Sequence, residues 1–367
     1  MRSLPILLLI GVAAAKLGHH HSNHPTEDKL LSVQVVIRHA DRAATQGWAT
    51  DKSEKILFRG NGELTDDGID NAFNQGRDFK KRYVDTGFID KRYLPSEVRI
   101  RSSSVSRVLM SAASFTNALF KRTPNNHAIV PPIYTTEESQ DTLLVPLLTC
   151  NDGWEDVVSK YGLTTSENAK DTALIKMLGS QWDAPECSKV PPGLVDAIIA
   201  ELNQKEIKMP ENYKACAKGH AKQFMFRYIE MLAGAGDHFN ELRIKRVAGM
   251  LTSELVKNMQ KAASCPPPCS TEPKLRVFYT HDVTVLAVAH IFKALHHFEG
   301  VTPAFSSAIV FETRMNATGP YVKVYLKNGH KPEFFDTGLC HGNCTLPAVA
   351  ALAAPLSLTE PIPCPIL

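Results

Sequence analysis

The 367-residue chain carries little net charge: 41 Lys and Arg stand against 38 Asp and Glu, a formal balance of +3. With no long basic run, there is little electrostatic reason to expect nucleic acid or an anionic membrane as partner. Any anion binding must therefore be local. The sequence also lacks an apolar segment of the roughly 20 residues that a bilayer span requires. Leu4 to Val12 is too short, and Leu346 to Leu358 is interrupted by Pro347, Pro355 and Ser357. No internal repeat is present, which excludes a solenoid or propeller. A redox dithiol is missing too, because Cys265-Pro266-Pro267-Pro268-Cys269 has three intervening residues rather than two. Cys340-His341-Gly342-Asn343-Cys344 imitates half a zinc site, but no second half lies at an obvious spacing. No metal and no cofactor are expected.

With 44% hydrophobic and 22% charged residues, the composition is that of a globular protein whose length suits two structural units. Met1 to Ala15 reads as a secretory signal: one positive charge at Arg2, an apolar run, then Ala13-Ala14-Ala15. Residues 16–28 hold His19, His20, His21 and His24 without apolar periodicity, and are expected to form a flexible arm that lacks preorganised geometry for a metal. The 8 Cys are an even number on an export-bound chain, which favours disulfides. Asn316-Ala317-Thr318 and Asn343-Cys344-Thr345 are glycan acceptor motifs at Asn316 and Asn343.

Leu31, Val33, Val35, Val36 and Ile37 form a β-branched run ending abruptly in charge, as expected of a buried strand feeding a site at its carboxyl end. Thr65 can cap a helix over roughly 66–84, with Ile69, Ala72, Phe73, Gly76, Phe79 and Tyr83 at spacings of three and four. A second strand, Glu97 to Arg101, leads to a helix with a stripe through Val105, Val108, Ala112, Phe115 and Leu119. This alternation predicts an α/β fold with a mainly parallel central sheet flanked by helices. From about 150 to 269 the pattern is helical, consistent with an inserted cap domain. Strand-like Leu275 to Thr280, a helix, and a hairpin over 307–326 then return to the sheet, so 29–149 and 270–367 form one discontinuous α/β domain.

Three strand ends carry chemistry. Arg38-His39-Ala40-Asp41-Arg42 follows the first strand and places two guanidinium groups around an imidazole. Arg101 ends the second, with Arg107 two turns on, and Thr280-His281-Asp282 ends the third. In α/β folds such edges bind ligands. Arg suits phosphate through bidentate hydrogen bonds and a permanent charge.

Arg38 to Arg42 resembles the Arg-His-Gly-x-Arg-x-Pro signature of the histidine acid phosphatases, branch 2 of the histidine phosphatase superfamily. Arg101-Ser102-Ser103-Ser104-Val105-Ser106-Arg107-Val108-Leu109-Met110-Ser111-Ala112 resembles the family's second arginine segment, and Thr280-His281-Asp282 its distal His-Asp pair. Gly62-Glu63-Leu64-Thr65 and Lys81-Arg82-Tyr83 are similar to the family's first helix, and the likeness runs from about Leu30 to Cys364, loosely between 150 and 265. The resemblance implies a phosphoglycerate-mutase-like fold and a secreted, metal-independent acid phosphatase acting on small-molecule phosphate monoesters, with a lysosome-like compartment and a homodimer left open. It implies His39 as nucleophile forming a phosphohistidine, Arg38, Arg42 and Arg101 as phosphate clamp, His281 as a further phosphate donor and Asp282 as proton donor. It also implies the pairs Cys150–Cys364 and Cys340–Cys344, leaving Cys187 with Cys216 and Cys265 with Cys269. Ala40 replaces the signature Gly, and Ala43-Ala44 stands where Pro would follow. A Cβ at position 40 would oppose a positive φ. Three alternatives follow: a phytase-like activity, a lipid-phosphate phosphatase, or a secreted binding protein that kept the fold and lost most catalysis.

Overall fold

The computed structural model describes residues 28–120, 127–145, 182, 184–202, 204, 206–265, 272–298, 300–342 and 344–363. The expected signal at 1–15, nearly all of the His-rich arm, Cys150, Cys269, Asn343 and Cys364 lie outside them.

Among the described residues, eight strands form one mixed sheet: β1 (Lys29–Arg38), β2 (Val98–Ser102), β3 (Ile133–Tyr134), β4 (Leu275–Thr280), β5 (Ala308–Asn316), β6 (Gly319–Lys327), β7 (Phe335–Asp336) and β8 (Cys344–Thr345). The order is β3-β2-β4-β1-β5-β6-β7, with β8 also on β6. The contiguous strands β3, β2, β4 and β1 are parallel, and the β5–β6 hairpin closes the other side antiparallel. Because the chain visits β2 before returning to insert β4 beside β1, the carboxyl ends of β1, β2 and β4 meet at one edge.

Alternation along β1 sends its side chains into two cores. Val33, Val35 and Ile37 pack on one face with Phe79 and Phe115 from helices α1 (Asp66–Phe79) and α2 (Ser106–Leu119). Val36 lies on the other face, in a cluster that also holds Phe278, Ile309 and the buried residues of the central helices. Those helices are α3 (Val195–Glu201), α4 (Glu211–Lys218), α5 (His220–Ala233) and α6 (Met250–Ser264). α6 closes the segment expected to stand apart as a cap, yet it lies on the sheet: Gln34 Nε2 donates to Leu255 O at 2.8 Å, and Asn258 Nδ2 donates to Gln34 Oε1 at 3.0 Å. The described helices of that segment thus share one hydrophobic cluster with sheet residues.

The expected cap at Thr65 is present: its Oγ1 accepts from Gly68 N at 3.0 Å. α1 then approaches the loop after β1 so closely that a Cβ on Gly68 would fall 2.1 Å from Asp41 O. Only glycine allows that contact. Disulfides join Cys187 to Cys216 and Cys340 to Cys344, and Cys265 is also disulfide-bonded. Asn316 sits at the turn between β5 and β6, where Oδ1 accepts from Thr318 N at 2.9 Å. Among the described residues no helix is long and apolar enough to cross a membrane.

Glu201, at the end of α3, is 1% exposed. Burial, with Asp51 nearby, pushes its carboxyl up to about 7, against a lowering influence from Ser53. Unfolded, this side chain ionises at about 4.3, so the folded state loses stability as pH rises from there to 7. Glu201→Gln removes that loss. The variant's urea stability relative to the parent is expected to improve between pH 4 and pH 8 by as much as about 3 kcal/mol; an unchanged difference at the two pH values would refute this.

Candidate active site

Arg38 is the last residue of β1, and its Nη2 reaches Asp282 Oδ2 at 2.7 Å while Nη1 donates to Pro303 O at 2.5 Å. The guanidinium also lies over the Phe305 ring, 4.1 Å from its centroid. Burial lowers its proton affinity and Asp282 partly restores it.

His39 is buried at 2% exposure. Its Nδ1 lies 2.8 Å from Ala40 O, and Arg107 Nε lies 3.4 Å from its Nε2. A carbonyl can only accept and a guanidinium can only donate, so the proton sits on Nδ1 and the Nε2 lone pair faces Arg107. Burial, then the charges of Arg38 and Arg107, hold the imidazole well below its ordinary range. That shift favours the neutral imidazole, with Nε2 unprotonated, below the ordinary histidine range.

Arg42 forms a two-pronged pair with Asp196 of α3, Nη2 to Oδ1 at 2.7 Å and Nη1 to Oδ2 at 3.1 Å. Thr45 Oγ1 also donates to that carboxylate at 2.9 Å. Burial opposes the charge on Asp196, but Arg42 outweighs it and holds the carboxyl at about 2. Close approach of α3 is possible because Ala44 packs directly on Ala197 and Ala200. Ala44, where the signature has Pro, thus carries a packing role here. Ala40 is buried against Leu64 and Ala72 and is absent from the described non-glycine residues with positive φ, so its Cβ brings no backbone strain. Asp41 accepts from Asn71 Nδ2 at 2.9 Å and pairs with His330 Nε2 at 3.2 Å.

From β4, His281 brings its ring centroid 5.5 Å from that of His39, and its Nε2 lies 3.4 Å from Ser103 Oγ. Burial first, then Arg107, lowers it to about 3. Asp282 opens helix α7 (Asp282–Ile291), with Oδ1 accepting from Val283 N at 2.9 Å.

The expected third clamp residue requires a correction. Arg101 pairs in register with Phe278, whereas Arg38 pairs with Thr280, so Arg101 starts two residues below the sheet edge. There its Nη2 meets the buried Asp141 Oδ2 at 2.7 Å, and Nη1 donates to Ser102 O. Arg107, in the first turn of α2, comes back over the edge to His39 instead. Its charge is opposed by burial and by Arg42. The only signal in the sequence was a second arginine at 107; the offset that decides between the two is set by strand register, since a strand residue two positions short of its neighbours cannot reach over their ends but the first turn of the following helix can. Asp196 and Phe305 gave no comparable signal, since they come from segments distant in sequence. Arg38, His39, Arg42, His281 and Asp282 are brought together; Arg101 is not.

Two cavities flank this cluster and both reach Asp282. One, of about 390 Å³, runs past Arg38, Phe305, Lys222 and Lys331. The other, of about 960 Å³, runs past Arg42 and Tyr228 to the aromatic side chains of Trp48 and Tyr213.

Residues 29–181 match the model of the histidine phosphatase superfamily (branch 2). Putative acid phosphatase 1 of Caenorhabditis briggsae is 27% identical over 322 residues, 82% of this chain and 72% of that protein. Prostatic acid phosphatase of Rattus norvegicus is 26% identical over 389 residues, covering 97% of this chain and 95% of its own. Among solved structures, the phytase of Citrobacter braakii superposes with a TM-score of 0.58 at 12% identity, covering 90% of this chain and 98% of that one. With a sheet flanked by helices, and with an imidazole between guanidinium groups at its edge, the chain is similar to the histidine phosphatase superfamily (branch 2), whose model its residues 29–181 match.

Proposed function

We propose that the protein is an acid phosphatase that hydrolyses phosphate monoesters through a phosphohistidine on His39. The observation that carries this reading is the buried imidazole whose Nε2 lies 3.4 Å from Arg107 Nε and whose proton affinity is lowered by burial first, then by Arg38 and Arg107. Arg38, Arg42 and Arg107 hold the phosphoryl oxygens, with His281 as a further contact, and offset their charge before and during the reaction.

In the first half-reaction His39 Nε2 forms the N–P bond as the P–O ester bond breaks opposite it. The electron pair leaves on the alcohol oxygen, which takes the proton of Asp282. In the second, water attacks phosphorus, Asp282 takes its proton, and the N–P electron pair returns to Nε2 as inorganic phosphate departs. In the free protein Asp282 is paired with Arg38. Incoming phosphate oxygens compete for that guanidinium, which frees the Asp282 carboxyl to face the ester oxygen. Acid supplies the Asp282 proton, while His39 remains free to attack because its own protonation is suppressed.

Asp282→Asn tests the donor. With an alkyl phosphate, kcat is expected to fall by about 10² to 10⁴; with a nitrophenyl ester, whose oxygen departs as a weak base, the fall is much smaller. Equal losses on the two esters would remove Asp282 from that role. The decisive experiment for the reaction class is rapid acid quench of the intact protein with labelled ester, where label on a histidine at position 39 is expected. Export through the leader at 1–15, with Asn316 and Asn343 as glycan sites, completes the reading: disulfides such as Cys187–Cys216 suit an oxidising compartment.

A further inference from the structure

The larger cavity is continuous with the proposed phosphate site, because Arg42 and Asp282 both line it. Beyond them its walls include the apolar and aromatic side chains of Trp48, Leu194, Tyr213, Ile229 and Leu232, beside the uncharged polar Thr45 and Gln46. Trp48 and Tyr213 meet edge to face with centroids 5.3 Å apart, a rigid wall joining the loop after β1 to α4. Among the described residues lining this groove, Arg42 carries the only fixed positive charge, and Asp196 already engages it in two hydrogen bonds. Asp196 and Asp282 place two carboxylates at the groove's inner end.

Resting on the phosphatase reading, we infer that this groove is the leaving-group subsite and that the preferred substrate is the phosphate monoester of an extended apolar alcohol bearing no second anionic group. The alcohol oxygen must depart beside Asp282 to receive its proton, and the groove begins at that side chain. Apolar groups gain about 0.8 kcal/mol for each methylene removed from water. A second phosphate or carboxylate would instead meet Asp196 and Asp282 with no free cation in this groove to receive it. The smaller cavity differs: Lys222 and Lys331 stand there, alongside His330 held by Asp41. A polyanionic substrate would favour that side.

The test is a homologous series of ethyl, butyl and hexyl phosphate with the intact protein at pH 5, with inositol hexakisphosphate as polyanionic probe. These alkyl esters share one leaving-group chemistry, so any trend reports binding. From ethyl to hexyl, kcat/KM is expected to rise by at least about 10-fold, a fraction of the limit set by full burial of four methylenes, and Trp48→Ala is expected to flatten the rise. Hexyl phosphonate inhibition should strengthen with chain length in the same way. A flat series, preference for inositol hexakisphosphate, or a rise abolished by Lys222→Ala and not by Trp48→Ala would each overturn the assignment. If none of these esters and no aryl phosphate is turned over, the phosphatase reading fails with it; turnover without chain-length dependence sinks the groove alone.

Discussion

A His39→Ala protein is expected to lose at least about 10³-fold in kcat toward an aryl phosphate at acid pH, and to yield no acid-quenched phosphoprotein. The size follows from chemistry rather than from binding. Without Nε2 the phosphoryl group has no covalent acceptor, and the three guanidinium groups can only hold an ester that water must attack directly. Binding of inorganic phosphate should survive, because Arg38, Arg42, Arg107 and His281 remain. Phosphate binding with full turnover in the variant would show that another group attacks. Phosphate binding by the unaltered protein with no turnover would favour the binding-protein alternative.

The second large effect separates two arginines that lie six positions apart. Arg107→Ala is expected to lower kcat/KM by about 10² to 10³, as for removal of one preorganised donor to a developing charge, with little change in urea midpoint. Arg101→Ala should do the reverse. Asp141 is 1% exposed and its Oδ2 is engaged by Arg101 at 2.7 Å, so truncation removes the cation beside a buried carboxylate and leaves it the backbone N–H groups of Leu143 and Leu144 at Oδ1. The expected cost is about 3 to 5 kcal/mol of stability, with kcat/KM of the folded fraction near that of the parent. Activity assays beside urea melts on the two variants decide between them. Catalytic loss in Arg101→Ala with undiminished stability would return that residue to the clamp.

Much of this was legible because it is local. The run from Leu31 to Ile37, the Thr65 cap and the stripe through Val108, Ala112 and Phe115 express periodicities of two and 3.6, which depend on near neighbours in the chain. Identification of the strand-end segments carrying Arg38-His39, the second arginine segment and His281-Asp282 followed from their position after apolar runs. The choice between Arg101 and Arg107 was not legible, because it depends on how far β2 extends beside β4. That register is set by pairing between strands separated by most of the chain. The same limit applies to Asp196. Nothing near position 196 marks it, and it matters because small side chains at 44, 197 and 200 let α3 lie against the loop that bears Arg42.

By itself, then, the sequence determined that an imidazole, guanidinium groups and a carboxylate stand at the ends of buried strands, since alternation and helix caps are written in consecutive residues. The tertiary structure alone decided which arginine completes the cluster, which tautomer His39 adopts, and what surrounds the departing alcohol. Those outcomes depend on contacts between segments far apart in the chain, where a shift of two residues in register moves a charge from the site into the core.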